Sequence, residues 1–503
     1  MTFFDMPICV SICRGKTWQA DRGAVTVKDG VIALQTDCAS WVKLDWAVSF
    51  APDAMVLGDA WERTYGDVGW KPVGQPGSSP WYFTVKDREK IRCFGVKTGP
   101  KALCSWTWTA NTISLMLDVR CGCLDTLFDG RTVELATLVS LEKQGEVFDV
   151  MHQFCKLMCD APVLPKAPIY GGDEWYTNYG KNSFEKVMDH ARIIAQCAEG
   201  LQNRPIQVVD AGWTLCHNWY LNDEYIGGPH RYCNSNFGDM KALADAMKEI
   251  GVRPALWCRP METLENVPDG AYTRRIRNIK NLDPSHPWAR ELMMNDIRLF
   301  KEWGYEIIKH DFAGIDTFGT YAFQWSQSAC EGDWAFYDRS RTSAEITLDY
   351  YRDTVEAAGG MTINACNTLS HLSAGLFEGY RIGDDTSGHE FARTVKMGVN
   401  TMAVRGCQHN AFYAADPDCV GITDEIAWED NKKWLELLKF SGMTTIVSVQ
   451  KELYTAEVRD AITEAFRLAS EPHETARPID WDETTLTPTR WMTFDGEKEF
   501  TWN

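Results

Sequence analysis

The chain has 503 residues, 45% of them apolar and 24% charged, the balance of a globular protein long enough for two or three cores. Its formal net charge of −19 argues against partners that demand a basic face, such as nucleic acid or an anionic membrane. No apolar run approaches the roughly 20 residues of a membrane span, and the opening "MTFFDMPICV" has neither the positive start nor the apolar core of a secretion signal.

Residues 1–163 read as all-β. "GAVTVKDGVIALQT" alternates apolar and polar residues around a Lys-Asp-Gly turn, which is a hairpin pattern, and "TISLMLDVRCGC" alternates in the same way. A β-sandwich is the simplest closure, with the Pro-rich "APVLPKAP" as linker. The 17 cysteines are scattered through apolar runs, as buried thiols of a reducing compartment are, so a cytoplasmic location is expected. "CGC" lacks the spacing of a zinc site, and no metal or other cofactor is expected. Twenty-one tryptophans fit either large cores or stacking on sugar rings, and a Trp-rich β region could supply a homo-oligomer interface.

From 164 to 450, short apolar strands alternate with amphipathic helices. The strands are "PIYGGDEW", "PIQVVDAGW", "RPALWCRP", "YEIIKHDF", "MTINACN", "YRIGDD", "NAFYAADPD" and "GMTTIVSV". Eight such units over this length predict a (β/α)8 TIM barrel, usually about 250 residues long. The fifth gap, 368–379, is too short for a full helix. Residues 451–503 read as one helix, "EVRDAITEAFRLAS", followed by a small β appendage with an Asp-Gly turn.

Sites in such barrels collect at the carboxyl ends of the strands, and these strands end in charged and polar residues. Lys309 and Asp311 are two apart, so both side chains point to the mouth, while His310 points into the layer of helices. The neighbouring ammonium is expected to keep Asp311 ionised, as a carboxylate nucleophile requires. Arg381 and Asp385 lie four apart beyond the sixth strand, where Gly383 permits a turn. Asp385 could face Asp311 across the mouth, whereas Asp384 or Asp385 could instead cap the next helix. A retaining glycosidase needs two carboxyl groups about 5 to 5.5 Å apart.

In order, "VVDAGW", "ALWCRP", "IIKHDF", "INACN", "YRIGDDTSG" and "AADPDC" resemble the α-galactosidase (melibiase) group, glycoside hydrolase family 36 of clan D, over residues 165–450. The resemblance implies a retaining α-glycosidase that uses no metal, on a barrel behind a β-sandwich, acting on a small glycoside or oligosaccharide. It implies Asp311 as nucleophile and Asp385 as acid/base, with Asp384 the alternative. Lys309 and Arg381 match residues that bond sugar hydroxyls, and Asp210 matches the first aspartate of the family's D-D-G-W motif. Trp175 and Trp257 would wall the pocket, and Asn364 and Cys366 fall near the sugar's C2 substituent.

Two positions depart from the pattern. Ala211 replaces the second aspartate of D-D-G-W, which removes a charge-assisted hydrogen bond worth about 1.5 to 3 kcal/mol. Arg259 adds a guanidinium at the end of the third strand, either toward an altered or acidic glycone or paired with Asp210 or Glu262. The expected activity is therefore hydrolysis of a terminal α-linked galactose or related sugar. The alternatives are an α-N-acetylgalactosaminidase, a transglycosylase, a non-catalytic sugar-binding barrel, or a metal hydrolase using His310, His371, His389 and His409 with Asp311.

Overall fold

The computed structural model describes residues 4, 6–216, 225–276, 278–325, 327, 330, 332–482 and 484–502. Two antiparallel sheets of six and seven strands open the chain. Alternation drives them together: in Trp41–Ala47 the side chains of Val42, Leu44 and Trp46 are buried and those between are not. The inner faces meet through rings, with Phe83 of one sheet 5.7 Å from Trp106 of the other. The expected hairpin pairs Val25–Lys28 with Val31–Gln35, and its turn places Asp29 and Gly30 at φ 52° and 80°. The region is not purely β, however. Helix Val147–Met158 buries Phe148, Met151, Phe154, Cys155 and Met158, a helical spacing that the sequence reading passed over.

Nine parallel strand segments then form one curled sheet. In chain order they are Tyr170–Asp173, Ile206–Val209, Arg253–Cys258, Ile307–His310, Thr362–Ala365, Gly379–Arg381, Ala414–Asp416, Cys419–Ile422 and Thr445–Val449. The seventh strand is split. Ala414–Asp416 pairs with the sixth, Cys419–Ile422 pairs with the eighth, and the sheet closes as an eight-fold barrel through the break. Pro417 has no N–H to give to a ladder. Asp418 takes φ 78°, and its N–H turns back to Asp416 Oδ1 at 2.9 Å.

The short fifth gap contains only the turn of helix Ser370–Ser373. The β-sandwich fills the space: Ser370 N–H donates to the Trp61 carbonyl at 3.1 Å, and the His371 ring stacks on Trp81 with centroids 5.3 Å apart. One sandwich segment goes further and lies beside the end of the sixth strand. Thr64 N–H donates to the Ile382 carbonyl at 3.0 Å, and Asp384 N–H donates back to Thr64 at 2.8 Å. Beneath it, fully buried Arg405 pairs with Asp59 at 2.9 Å and donates to the Glu62 carbonyl at 2.7 Å. Helix Ala456–Ala469 and a three-stranded antiparallel sheet, Arg477–Pro478, Arg490–Thr493 and Gly496–Glu499, complete the chain. Among the described residues no helix is long and apolar enough to cross a membrane.

The Asp59–Arg405 pair gives a direct test of how the sandwich is held to the barrel. Arg405→Met leaves Asp59 buried without its cation and is expected to cost about 3–5 kcal/mol. Urea unfolding of the full chain measures this, and adding Asp59→Asn should recover a large part of the loss.

Candidate active site

The ends of seven barrel strands and one sandwich loop line a cavity of about 120 Å³. Asp311 and Asp385 both line it. So do Lys309, Arg381, Asp210, Trp175, Trp257 and Cys366. His310 faces the other way, as alternation requires: it is fully buried, with Nε2 2.7 Å from the Tyr350 hydroxyl.

Asp311 is fixed by neutral donors. Trp257 Nε1–H donates to Oδ2 at 3.0 Å, and the Phe312 N–H donates to Oδ1 at 2.8 Å. The second bond needs a sharp turn, and Phe312 adopts φ 59°, a left-handed conformation that bulky residues avoid. The expected Lys309–Asp311 pairing is absent. Lys309 Nζ instead bridges Asp173 at 2.8 Å and Asp210 at 2.6 Å, at the ends of the first and second strands. Those carboxylates lie across the barrel and accept along the direction in which Lys309 extends.

Burial works against the lysine's charge, but Asp173 and Asp210 outweigh it and hold the ammonium well above the ordinary lysine range. Burial, with Asp173 beside it, pushes Asp210 up to about 7 despite Lys309. Behind them Glu174 is fully buried and accepts from Asn182 Nδ2 at 2.9 Å. Burial, then Asp173 and Asp210, push its carboxyl well above the usual range, which favours the neutral acid.

Asp385 has the opposite surroundings. Its Oδ1 accepts from Arg63 at 2.9 Å and from Arg381 at 3.1 Å. Burial pushes its carboxyl up, but Arg63 and then Arg381 outweigh burial and hold it well below the usual carboxylate range. Arg63 is carried by the sandwich segment beside the sixth strand, and it also meets Cys366 Sγ at 3.3 Å. Gly383 serves this loop by its small size rather than by a special φ. A Cβ there would come 2.4 Å from the Met397 carbonyl.

Three residues named from the sequence are engaged outside the cavity. Arg259 makes a bidentate pair with Asp316 at 2.7 and 2.9 Å and meets Glu262 at 2.8 Å, not Asp210. Its guanidinium lies 4.5 Å over the Phe312 ring, so it braces the cavity wall from behind. Asn364 donates to Asp416 at 2.8 Å. Asp384 pairs with Arg63 at 2.8 Å and Arg393 at 2.7 Å.

The four histidines have separate surroundings: His371 meets the Val96 carbonyl, His409 accepts from Ala415 N–H, and His389 pairs with Glu425. Among the described residues no three His, Cys, Asp or Glu side chains are grouped to hold a metal ion.

Arg63, Asp173, Tyr176, Tyr225 and Asp418 also line the cavity and were not chosen from the sequence. Asp418 joins the wall through Arg381 at 3.0 Å, the Thr386 N–H at 2.7 Å and the Tyr176 hydroxyl. Asp173 and Asp418 had a signal, since both close strand motifs. Arg63 had none, because 322 residues separate it from Asp385.

No family model matches the sequence, and no curated protein matches it. Solved structures do share its fold. The α-galactosidase of Thermus thermophilus aligns over 97% of this chain and 98% of its own with a TM-score of 0.63 at 15% identity. A single-substitution variant of the GH36 α-galactosidase AgaA of Geobacillus stearothermophilus, solved with 1-deoxygalactonojirimycin, aligns over 92% and 73% with a TM-score of 0.60 at 12% identity. A cycloalternan-degrading enzyme of Trueperella pyogenes, solved with isomaltose, aligns over 96% and 77% with a TM-score of 0.54 at 15% identity. The resemblance in the motifs thus extends to the fold of nearly the whole chain.

The Lys309 cluster predicts a pH signature. A carboxyl raised to about 7 keeps, in the folded chain, a proton that the unfolded chain releases near its ordinary value. Its stabilisation is present at low pH and lost as pH rises through about 7. Lys309→Met removes the cation that opposes burial at Asp210 and raises its carboxyl further, so its urea midpoint should fall below wild type by more at pH 8 than at pH 5.

Proposed function

We propose that this chain is a retaining α-glycosidase that releases a terminal α-linked galactose or a related sugar. The observation that carries the reading is the contrast between two carboxylates in one cavity: Asp311 held by neutral donors, Asp385 held by two cations. Asp311 attacks the anomeric carbon while Asp385 gives a proton to the leaving oxygen. Asp385 then takes a proton from water, which cleaves the glycosyl–Asp311 ester with net retention.

With Arg63 and Arg381 on it Asp385 is held anionic, the form that serves the second step. Sugar hydroxyls that accept from Arg63 and Arg381 draw those donors away from it, and the ring excludes water. Both changes raise its pKa toward that of a proton donor. Lys309, Asp173 and Asp210 offer a donor and acceptors to the ring hydroxyls, and Trp175 and Trp257 offer apolar faces. Burial favours the neutral form of Glu174 behind them, which limits repulsion with the aspartates.

A different glycone is favoured by one observation. Ala211 lines the cavity with a methyl group where a second aspartate would suit galactose. The isomaltose-bound relative suits a clan fold that accepts other α-linked sugars. A panel of nitrophenyl α-glycosides, including galactose, N-acetylgalactosamine, glucose and acidic sugars, run on wild type and Ala211→Asp, separates these readings. A gain in α-galactoside turnover on Ala211→Asp points to a pocket shaped for another glycone.

The mechanism itself is tested at both carboxylates. Asp311→Gly should abolish turnover, with azide or formate restoring part of it on activated glycosides. Asp385→Ala should lose about 10²–10⁴-fold on poor leaving groups and far less in the first step on nitrophenyl glycosides. Full activity of Asp311→Gly would remove the glycosidase assignment.

A further inference from the structure

Next to the cavity, the chain builds an aromatic stack that the chemistry above does not use. Tyr179 and His389 stack face to face, with centroids 4.5 Å apart and planes at 13°. Trp175 of the cavity packs edge-on against Tyr179 at 5.5 Å, so the rings run outward from the pocket without a gap. Tyr179 and His389 line an open groove, and Tyr176 belongs to both the groove and the cavity.

Several independent contacts hold this surface. The Gly388 N–H donates to the Tyr179 hydroxyl at 3.1 Å. Ser387 Oγ accepts from the N–H groups of His389 at 2.9 Å and Glu390 at 3.0 Å. His389 Nδ1 meets Glu425 at 2.6 Å. Gly388 fits only because it lacks a side chain, since a Cβ would lie 2.9 Å from both the Tyr176 carbonyl and the Tyr179 hydroxyl. Yet the His389 side chain is 51% exposed. A ring fixed this firmly but half exposed contributes little to a core, and the His389 imidazole, backed by Tyr179 and edged by Gln450, Lys451 and Glu425, has both halves of a sugar site. The rings attract the C–H face of a pyranose, and the rim meets its hydroxyls.

The position indicates which sugar. His389 follows Asp385 by four residues on the same loop. If Asp385 protonates the leaving oxygen, the leaving group lies on that side of the cavity. We propose that Tyr179 and His389 form a subsite for the sugar ring that departs, so that the substrate is an α-linked oligosaccharide rather than a glycoside with a small aglycone. This rests on the glycosidase reading above.

The test compares raffinose with methyl α-galactoside, or the matching trisaccharide and methyl glycoside of whichever glycone the wild type accepts. Tyr179→Ala and His389→Ala should each raise KM for the trisaccharide about fivefold to tenfold and change kcat/KM for the methyl glycoside less than twofold. His389→Phe, which keeps a flat ring, should restore the trisaccharide KM. Equal losses on both substrates, or no loss on the trisaccharide, would overturn the subsite. Calorimetry of raffinose binding to Asp311→Asn separates this from the reading beneath it. If the wild type turns over nothing, the glycosidase reading fails. The subsite then stands if Tyr179→Ala weakens raffinose binding in the Asp311→Asn background by a similar factor, and falls if it does not.

Discussion

The pocket depends on how three cations are shared among its carboxylates. Lys309 is taken by Asp173 and Asp210, while Arg63 and Arg381 converge on Asp385. Asp311 is left with two neutral donors, an indole and a backbone amide. A buried carboxylate without its cation costs several kcal/mol, so none of these partners can be exchanged without cost. The same partition ties the first, second and fourth strands at one end of the barrel and gives the two proposed catalytic groups different electrostatic surroundings. Coulomb attraction falls with distance, and here it is spent on the residues that hold the pocket's shape.

The sandwich takes part in this arrangement. Its segment beside the sixth strand places Arg63 over the mouth, and Arg405 with Asp59 anchors that segment from below. Where a barrel normally has a fifth helix, the sandwich covers the strands itself. The site is therefore built from two layers of the molecule, and an isolated barrel would lack one of the cations on Asp385.

Much of the fold was legible because strand ends and helical faces repeat locally. The Val25–Gln35 hairpin and the outward turn of His310 follow from period-two alternation, and the eight barrel strands from short apolar runs set between amphipathic helices. Helix Val147–Met158 was lost among strands because its apolar residues stand at spacings that a short strand also allows. Side-chain partners were harder. Two residues apart on one strand, Lys309 and Asp311 suggested a pair, but the long lysine stem reaches across the barrel to acceptors that sequence spacing cannot reveal. Arg259 looked like a pocket residue for the same reason, since nothing local announced Asp316 as its partner. Arg63 depends on a contact between layers and was not readable at all.

In the proposed reaction Asp311 forms a covalent bond to sugar while Asp385 moves the proton. A 5-fluoro-α-glycosyl fluoride of the preferred glycone should trap the glycosyl-enzyme ester long enough for mass spectrometry of digested protein. One added sugar is expected on the peptide that contains Asp311. A label on the peptide that contains Asp385, or rapid turnover of a natural substrate with inversion and no label, would contradict it.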